Sequence, residues 1–164
     1  MSTTPLQTRD PGPAPASIHV VFWLMIAQSA FSVFVGLPLA YMSKDAVLAS
    51  MPDTPGVDTE AIWQGSFGFT VVLSVGMAAL WILFAVKLRA GRNWARITML
   101  VLTALGLVVT PINLANTGVT IPATVMPALI GVAVGLVVLI LLLAEPAKSW
   151  TPAKTAFLKA SPPF

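Results

Sequence analysis

The sequence predicts an all-α membrane fold, an integral four-helix bundle built as two antiparallel hairpins with both termini cytoplasmic. Three observations lead there. Four long apolar stretches fill most of the 164 residues. Between residues 20 and 144 every charged side chain falls in one of the two connections flanking the second stretch. The composition is 57% apolar and 9% charged, against roughly 45–50% and about a quarter in soluble domains, so a water-soluble fold of this size could not cover its own surface. A spanning helix needs about 20 mainly apolar residues, and four runs meet that length.

Residues 1–17, with Pro5, Pro11, Pro13 and Pro15 among Ser, Thr and Ala, carry no periodicity and are expected to form a flexible cytoplasmic tail. The first span is expected over 18–41, with Ser17 as its N-cap. It is longer than the core of a secretory signal and only Arg9 precedes it as a cation, so it reads as a retained span. The outer connection, 42–59, holds Lys44, Asp45, Asp53 and Asp58 with Pro52, Pro55 and Gly56, and Asp45 to Met51 suits one short helix stopped by Pro52. The second span, 60–88, begins beside Asp58 and Glu60, where acidic groups favour the positive end of the helix dipole. At ~1.5 Å per residue it exceeds the ~30 Å apolar layer, so it tilts or protrudes.

The basic hairpin, 87–96, joins it to a third span, 94–116. Asn116-Thr117-Gly118 is a turn signal, and the fourth span, 121–144, is stopped by Glu145-Pro146. One transmembrane domain over 18–145 is followed by a C-terminal tail, 146–164, expected to be cytoplasmic and either solvated or laid on the anionic inner leaflet by Lys148, Trp150, Lys154, Phe157, Leu158 and Lys159. Pro152 is expected to limit any helix there.

Lys87, Arg89, Arg92 and Arg96 in the central hairpin and Lys148, Lys154 and Lys159 after the last span outnumber Lys44 on the other side. The excess of Lys and Arg places that side in the cytoplasm of a multi-pass protein of the cell membrane, the bacterial plasma membrane in particular. Trp23, Trp94 and Trp150 fall near the inner interface, Tyr41 and Trp63 near the outer one. Trp81 sits deeper and requires a packing partner.

Gly91-Arg92-Asn93-Trp94-Ala95-Arg96 resembles the basic G-R-x-W-A-R cytoplasmic turn of small, mostly uncharacterised four-span membrane proteins of actinobacteria. The resemblance covers the turn and its flanking spans, and it implies no activity. Each position also has a structural reading: Gly91 past a helix end, Asn93 as an N-cap, the arginines as orientation signals, Trp94 as an interface anchor. The functional alternative is a lipid-headgroup or partner contact by Arg89, Arg92, Trp94 and Arg96.

Gly131 and Gly135 lie one turn apart on the fourth span, and Ser66, Thr70 and Ser74 recur every fourth residue on the second. Such small-residue faces serve packing within the monomer or contact with a second chain. Pro111, Asn113 and Asn116 mark either a kink or a polar vestibule in the third span, since a proline frees the carbonyl four residues earlier. Gln28 and Gln64 are expected to make interhelical hydrogen bonds. A lone His19 at the start of the first span reads as interfacial.

Cysteine is absent, which excludes disulfides and thiol chemistry. No Asp, Glu, Lys, Arg or His lies deep within a span, where ion-coupled transport would place one. A single histidine makes neither a haem nor a zinc site, and the acids of the outer connection, Asp45, Asp53, Asp58 and Glu60, are expected to be solvated without His or Lys partners. The basic pI reflects topology, not nucleic-acid binding. The expectation is therefore a protein without enzymatic activity or cofactor, an accessory or assembly subunit of a larger respiratory, transport or cell-envelope complex. The alternative is a small homo-oligomeric channel or carrier for a neutral or lipidic solute around Pro111, Asn113 and Asn116. Its partners are the lipid bilayer with its anionic inner leaflet and other membrane subunits or further copies of itself.

Overall fold

The computed structural model describes residues 10–52, 56–117 and 122–160, the side chains of 116, 117 and 122–124 excepted. Pro5 and Arg9 of the tail, Asp53 and Pro55 of the outer connection, the Gly118 turn and the Asn116 side chain lie outside those residues. The described chain is all-helical, without strands: α1 (Ala16–Phe31), a π-helical turn (Ser32–Gly36), α2 (Leu37–Met42), α3 (Lys44–Ser50), α4 (Thr59–Arg89), α5 (Asn93–Thr117), α6 (Pro122–Leu143) and α7 (Glu145–Ala160).

Four rods are long and apolar enough to cross a membrane: Ala16–Met42, Thr59–Arg89, Asn93–Ala115 and Val125–Leu143. Their outward faces carry exposed Phe34, Phe69, Val72, Val108 and Ile140, the surface that lipid covers. The first rod runs unbroken through α1, the π turn and α2. Its widened turn stands just before Pro38, whose ring crowds the preceding turn and which has no N–H to offer the Phe34 carbonyl. A plain span was the expectation, and periodicity does not register one inserted residue.

The termini of the helices follow from local chemistry. Asp58 caps α4, its Oδ1 accepting from the Ala61 amide at 3.0 Å. At the far end of α4, Gly91 turns left-handed at φ 77°, its amide donating to the Leu88 carbonyl while the Arg92 amide donates to Lys87. That pair of bonds is the Schellman closure, which needs a residue without a Cβ penalty. Two expected caps are corrected. The first helix starts at Ala16 with Pro15 in the capping position and no side-chain cap, because the fixed proline φ of −65° already presents its carbonyl to the Ile18 and His19 amides. Asn93 is the first residue of α5 instead of its cap, and its side chain points elsewhere.

α1 packs on both α4 and α6, and α5 packs mainly on α6. The fully buried residues are not spread along the rods. Ile18, Val21, Leu88, Ala95, Met99, Val138, Leu142 and Ala147 form one cluster with Phe22, Met25, Ala85 and Trp150, all toward the end where α4 meets α5. Little hydrophobic force separates lipid from protein in the apolar layer, so this interdigitated end supplies the packing energy of the fold.

The C-terminal stretch gives the largest departure from expectation. α7 runs 16 residues, straight through Pro152, and buries Ala147, Trp150 and Thr151 against the spans. It is neither a solvated tail nor a strip lying freely on lipid. Residues 10–15, expected within a flexible tail, pack against it.

Candidate functional site

At the packed end, three segments that are distant in sequence are tied together. Thr155 Oγ1 donates to the Gly91 carbonyl at 2.6 Å and accepts from the Asn93 amide at 2.9 Å, so one hydroxyl of α7 serves an amide at the start of α5 that has no helical partner. Arg96 Nε donates to the Leu142 carbonyl at 3.2 Å and its Nη1 to the Lys148 carbonyl at 3.3 Å. Longer approaches of 3.5 Å bring Nη1 to Asn93 Oδ1 and Thr151 Oγ1. Thr151 Oγ1 donates to its own helix at Ala147 and lies 3.3 Å from Asn93 Oδ1. The Trp150 indole N–H donates to the Gly12 carbonyl at 3.2 Å, and Lys154 Nζ pairs with Asp10 Oδ1 at 2.6 Å. The Lys154 ammonium, hydrogen-bonded to Asp10, and then the Gly12 amide hold that carboxyl below its ordinary pKa.

The expected basic cluster therefore divides. Arg96 is consumed by the framework. Arg89 stands exposed over the Phe22 ring, 5.1 Å from its centroid, and Arg92 is exposed without an ion pair among the described residues. Trp94 is half exposed and meets Phe84 edge-on at 5.9 Å. Sequence reasoning missed Thr151, Thr155 and Asp10 because nothing in their local pattern marks a partner more than fifty residues away.

The opposite end is held differently. Tyr41, Trp63 and Phe67 form an aromatic cluster, Trp63 and Phe67 stacked at 5.0 Å and 7°. The expectation that the outer acids lack Lys partners is corrected: Glu60 pairs with Lys44, which α3 brings beside the start of α4 and which lies 5.1 Å from the Trp63 centroid. The hydrogen bond to Glu60 raises the Lys44 pKa. Gln64 donates to Glu60 at 3.0 Å within its own helix instead of across to a neighbour.

Between the two ends the helices separate. One crevice, about 250 Å³, opens among α1, α4, α5 and α6 and is lined by Gln28, Trp81, Thr103, Thr110, Gly131 and Gly135 among others. A second, about 270 Å³, lies between α1 and α4 and shares Gln28 and Trp81 with the first. Gly131 and Gly135 face inward: a Cβ on the first would meet Gln28 Nε2 at 3.7 Å, and one on the second Leu107 Cδ2 at 3.3 Å. Their small size serves packing within the chain. Ser66 and Thr70 remain on an exposed face, Thr70 bonding back to the Ser66 carbonyl, whereas Ser74 lines the second crevice. Pro111 and Asn113 are exposed and line neither crevice. Gln28, expected to bond across helices, makes no hydrogen bond among the described residues, and the buried Ser29 hydroxyl is likewise without a partner.

The class this geometry defines is a polytopic helical protein with a locked basic end and, at mid-depth, two largely apolar crevices that share the Gln28 amide. Comparison with known protein families, with curated proteins and with solved structures gives no match.

Proposed function

We propose that the chain is a non-enzymatic accessory or assembly subunit of a larger membrane complex, of the respiratory, transport or cell-envelope kind. The observation that carries this reading is the basic end. Hydrogen bonds from Arg96, Thr155 and Trp150 fix its backbone, and on that fixed surface Lys87, Arg89, Arg92 and Lys159 stand exposed with no carboxylate paired to them among the described residues. Preorganised cations suit the acidic loops of a neighbouring subunit and the anionic leaflet beside it. On the positive-inside rule the chain is a bundle of two antiparallel hairpins in the plasma membrane, with residues 87–96 and both termini in the cytoplasm. The likeness of its basic turn to that of small actinobacterial membrane proteins accords with this reading.

Purification of a tagged chain in mild detergent followed by mass spectrometry tests it. A stoichiometric partner is expected, retained by the native chain and lost from the Arg89→Gln/Arg92→Gln variant. A solitary monomer in every mild detergent overturns the reading. Reporter fusions placing Arg92 outside the cell overturn the orientation.

A second reading, a homo-oligomeric channel or carrier for a neutral or lipidic solute, draws support from the crevice at Gln28. Its seat moves from Pro111, Asn113 and Asn116 to Gln28, Ser74 and Thr110. Solute flux in proteoliposomes that survives Gln28→Leu would remove that support.

A further inference from the structure

We propose that the crevice between α1 and α4 binds a neutral lipid-like molecule through one or two hydroxyl or carbonyl oxygens, with Gln28, Ser29, Ser32 and Ser74 as its polar contacts. The proposal does not depend on the accessory-subunit reading.

Depth is the first part of the argument. Ser74 lies 15 residues from either end of α4 (Thr59–Arg89), so at ~1.5 Å per residue it stands roughly 22 Å from both. Gln28 and Ser29 occupy a similar middle position on the rod Ala16–Met42. This is the layer where water is scarce and an unmet polar group is costly.

Satisfaction is the second. A serine inside a helix commonly bonds back to the carbonyl one turn earlier, as Thr70 and Ser149 do here. Ser29 does not: its residue is only 5% exposed, its hydroxyl has no partner, and it lines the crevice. Gln28 beside it presents an amide with two donors and a carbonyl, and none of these is hydrogen-bonded among the described residues. A group entering from the lipid meets the partly exposed Gln28 amide directly, and reaches the Ser29 hydroxyl, whose oxygen is itself buried, when that side chain turns toward it.

Chemistry and size then select the occupant. The lining holds no ionisable group, so a charged headgroup would be left unpaired and a neutral one is favoured. The remaining wall is apolar, with Leu73, Met77 and Trp81, which suits the hydrocarbon part of the same molecule. At about 270 Å³ the space takes a ring or a short oxygen-bearing chain and is too narrow for a helix ~10 Å across.

The test uses the full-length chain in nanodiscs with a photoactivatable farnesol analogue carrying a diazirine, beside the matching hydrocarbon diazirine that lacks the hydroxyl. Cross-linked peptides are mapped by mass spectrometry. Labelling by the alcohol is expected to concentrate on residues 25–32 and 73–81, to exceed that by the hydrocarbon about tenfold, as for one or two net hydrogen bonds, and to be competed by unlabelled farnesol. Gln28→Leu/Ser29→Ala should bring it down to the hydrocarbon level. Ser74→Leu, which fills the crevice from the opposite wall, should do the same with both α1 polar groups retained. Each variant is accepted only when its thermal melt matches the native chain. Equal labelling by the two probes, labelling spread around the lipid-facing surface, or labelling that cannot be competed, as in a crevice that holds only water or a partner helix, each overturn the proposal. So does undiminished labelling of the Gln28→Leu/Ser29→Ala chain.

Discussion

Arg96 supplies the hydrogen bond that Pro152 cannot. Proline has no N–H, so Pro152 leaves the Lys148 carbonyl without its donor in α7, and Arg96 Nη1 reaches that oxygen from another helix at 3.3 Å. The same relation holds a second time. Pro146 leaves the Leu142 carbonyl unmet at the end of α6, and Arg96 Nε donates to it at 3.2 Å. One planar guanidinium with several donors thereby allows two prolines in a helix docked on the spans.

Replacement of Arg96 should accordingly act through those carbonyls. Arg96→Met is expected to cost about 2–4 kcal/mol, since two charge-assisted bonds are lost and two carbonyls are left unmet. Arg96→Lys should recover less than half, because a point donor cannot reach both oxygens. Denaturant titration in detergent measures the loss. Pro152→Ala placed in the Arg96→Met chain should restore stability, with a coupling of about 0.5–1 kcal/mol in the double-mutant cycle. Strict additivity would show that the two residues are energetically independent.

Gly91 is constrained twice. Its φ of 77° lies in the left-handed region, and a Cβ there would fall on Lys154 Cγ, 2.9 Å from Lys154 Cβ and 3.3 Å from the Trp150 ring. Gly91→Ala is expected to cost about 1–3 kcal/mol by the same titration. Lys154→Ala in that background should relieve the steric share and leave the backbone share. If Gly91→Ala were neutral, the Schellman closure would not be the rigid element described above.

Two ion pairs, one at each end of the rods, carry opposite pH dependences, and only the Lys154–Asp10 pair bears on the docked α7. Asp10 has a lowered pKa in the fold, so its contribution is complete above the unfolded value near ~3.9 and fades as pH falls through the lower folded one. Lys44 has a raised pKa, so the stability it adds is complete below about 10.4 and is lost as pH rises through the higher folded value. The hydrogen-exchange protection factor at Gly12, with the intrinsic pH dependence of exchange divided out, and the fluorescence of Trp150 in a chain whose other four tryptophans are replaced by Phe should therefore stay flat at intermediate pH and change below about pH 4. Asp10→Asn should shift that acid-side change. An unaltered acid limb would mean that another carboxylate controls the segment.

How much of this was readable beforehand depends on the range of the interaction. Rods over 18–41, 60–88, 94–116 and 121–144 follow from apolar length, and Gly91 follows from a local backbone requirement; the described helices lie within a few residues of those bounds. Docking of α7 was not readable, because Thr155 meets Gly91 across 64 residues and Trp150 meets Gly12 across 138. Pro152 even argued against a helix there, and only Arg96, from a different span, removes the objection. The crevice was half readable. Gln28 and Ser74 stood out as polar groups within spans, but that they face one another across a gap, while Gly131 and Gly135 face inward, is set by helix rotation, which composition does not encode.

Two tryptophans that the sequence treats alike should separate in experiment. Trp23 and Trp150 both read as anchors at the inner interface, yet Trp23 is 62% exposed and Trp150 only 9%. Trp150 sits over Gly91, bonds to Gly12 and closes a groove with Pro11, Pro13, Pro15 and Pro146. Trp150→Ala removes a packed ring and leaves a cavity, for which about 3–5 kcal/mol is usual in protein cores. Trp23→Ala removes a ring that mostly meets lipid, and a change below about 1 kcal/mol is expected, the range of substitutions away from packed features. Thermal melts of the two variants in the same detergent decide it. Equal losses would mean that α7 does not hold together the end where α4 meets α5, and the locked platform on which Arg89 and Arg92 stand would have to be abandoned.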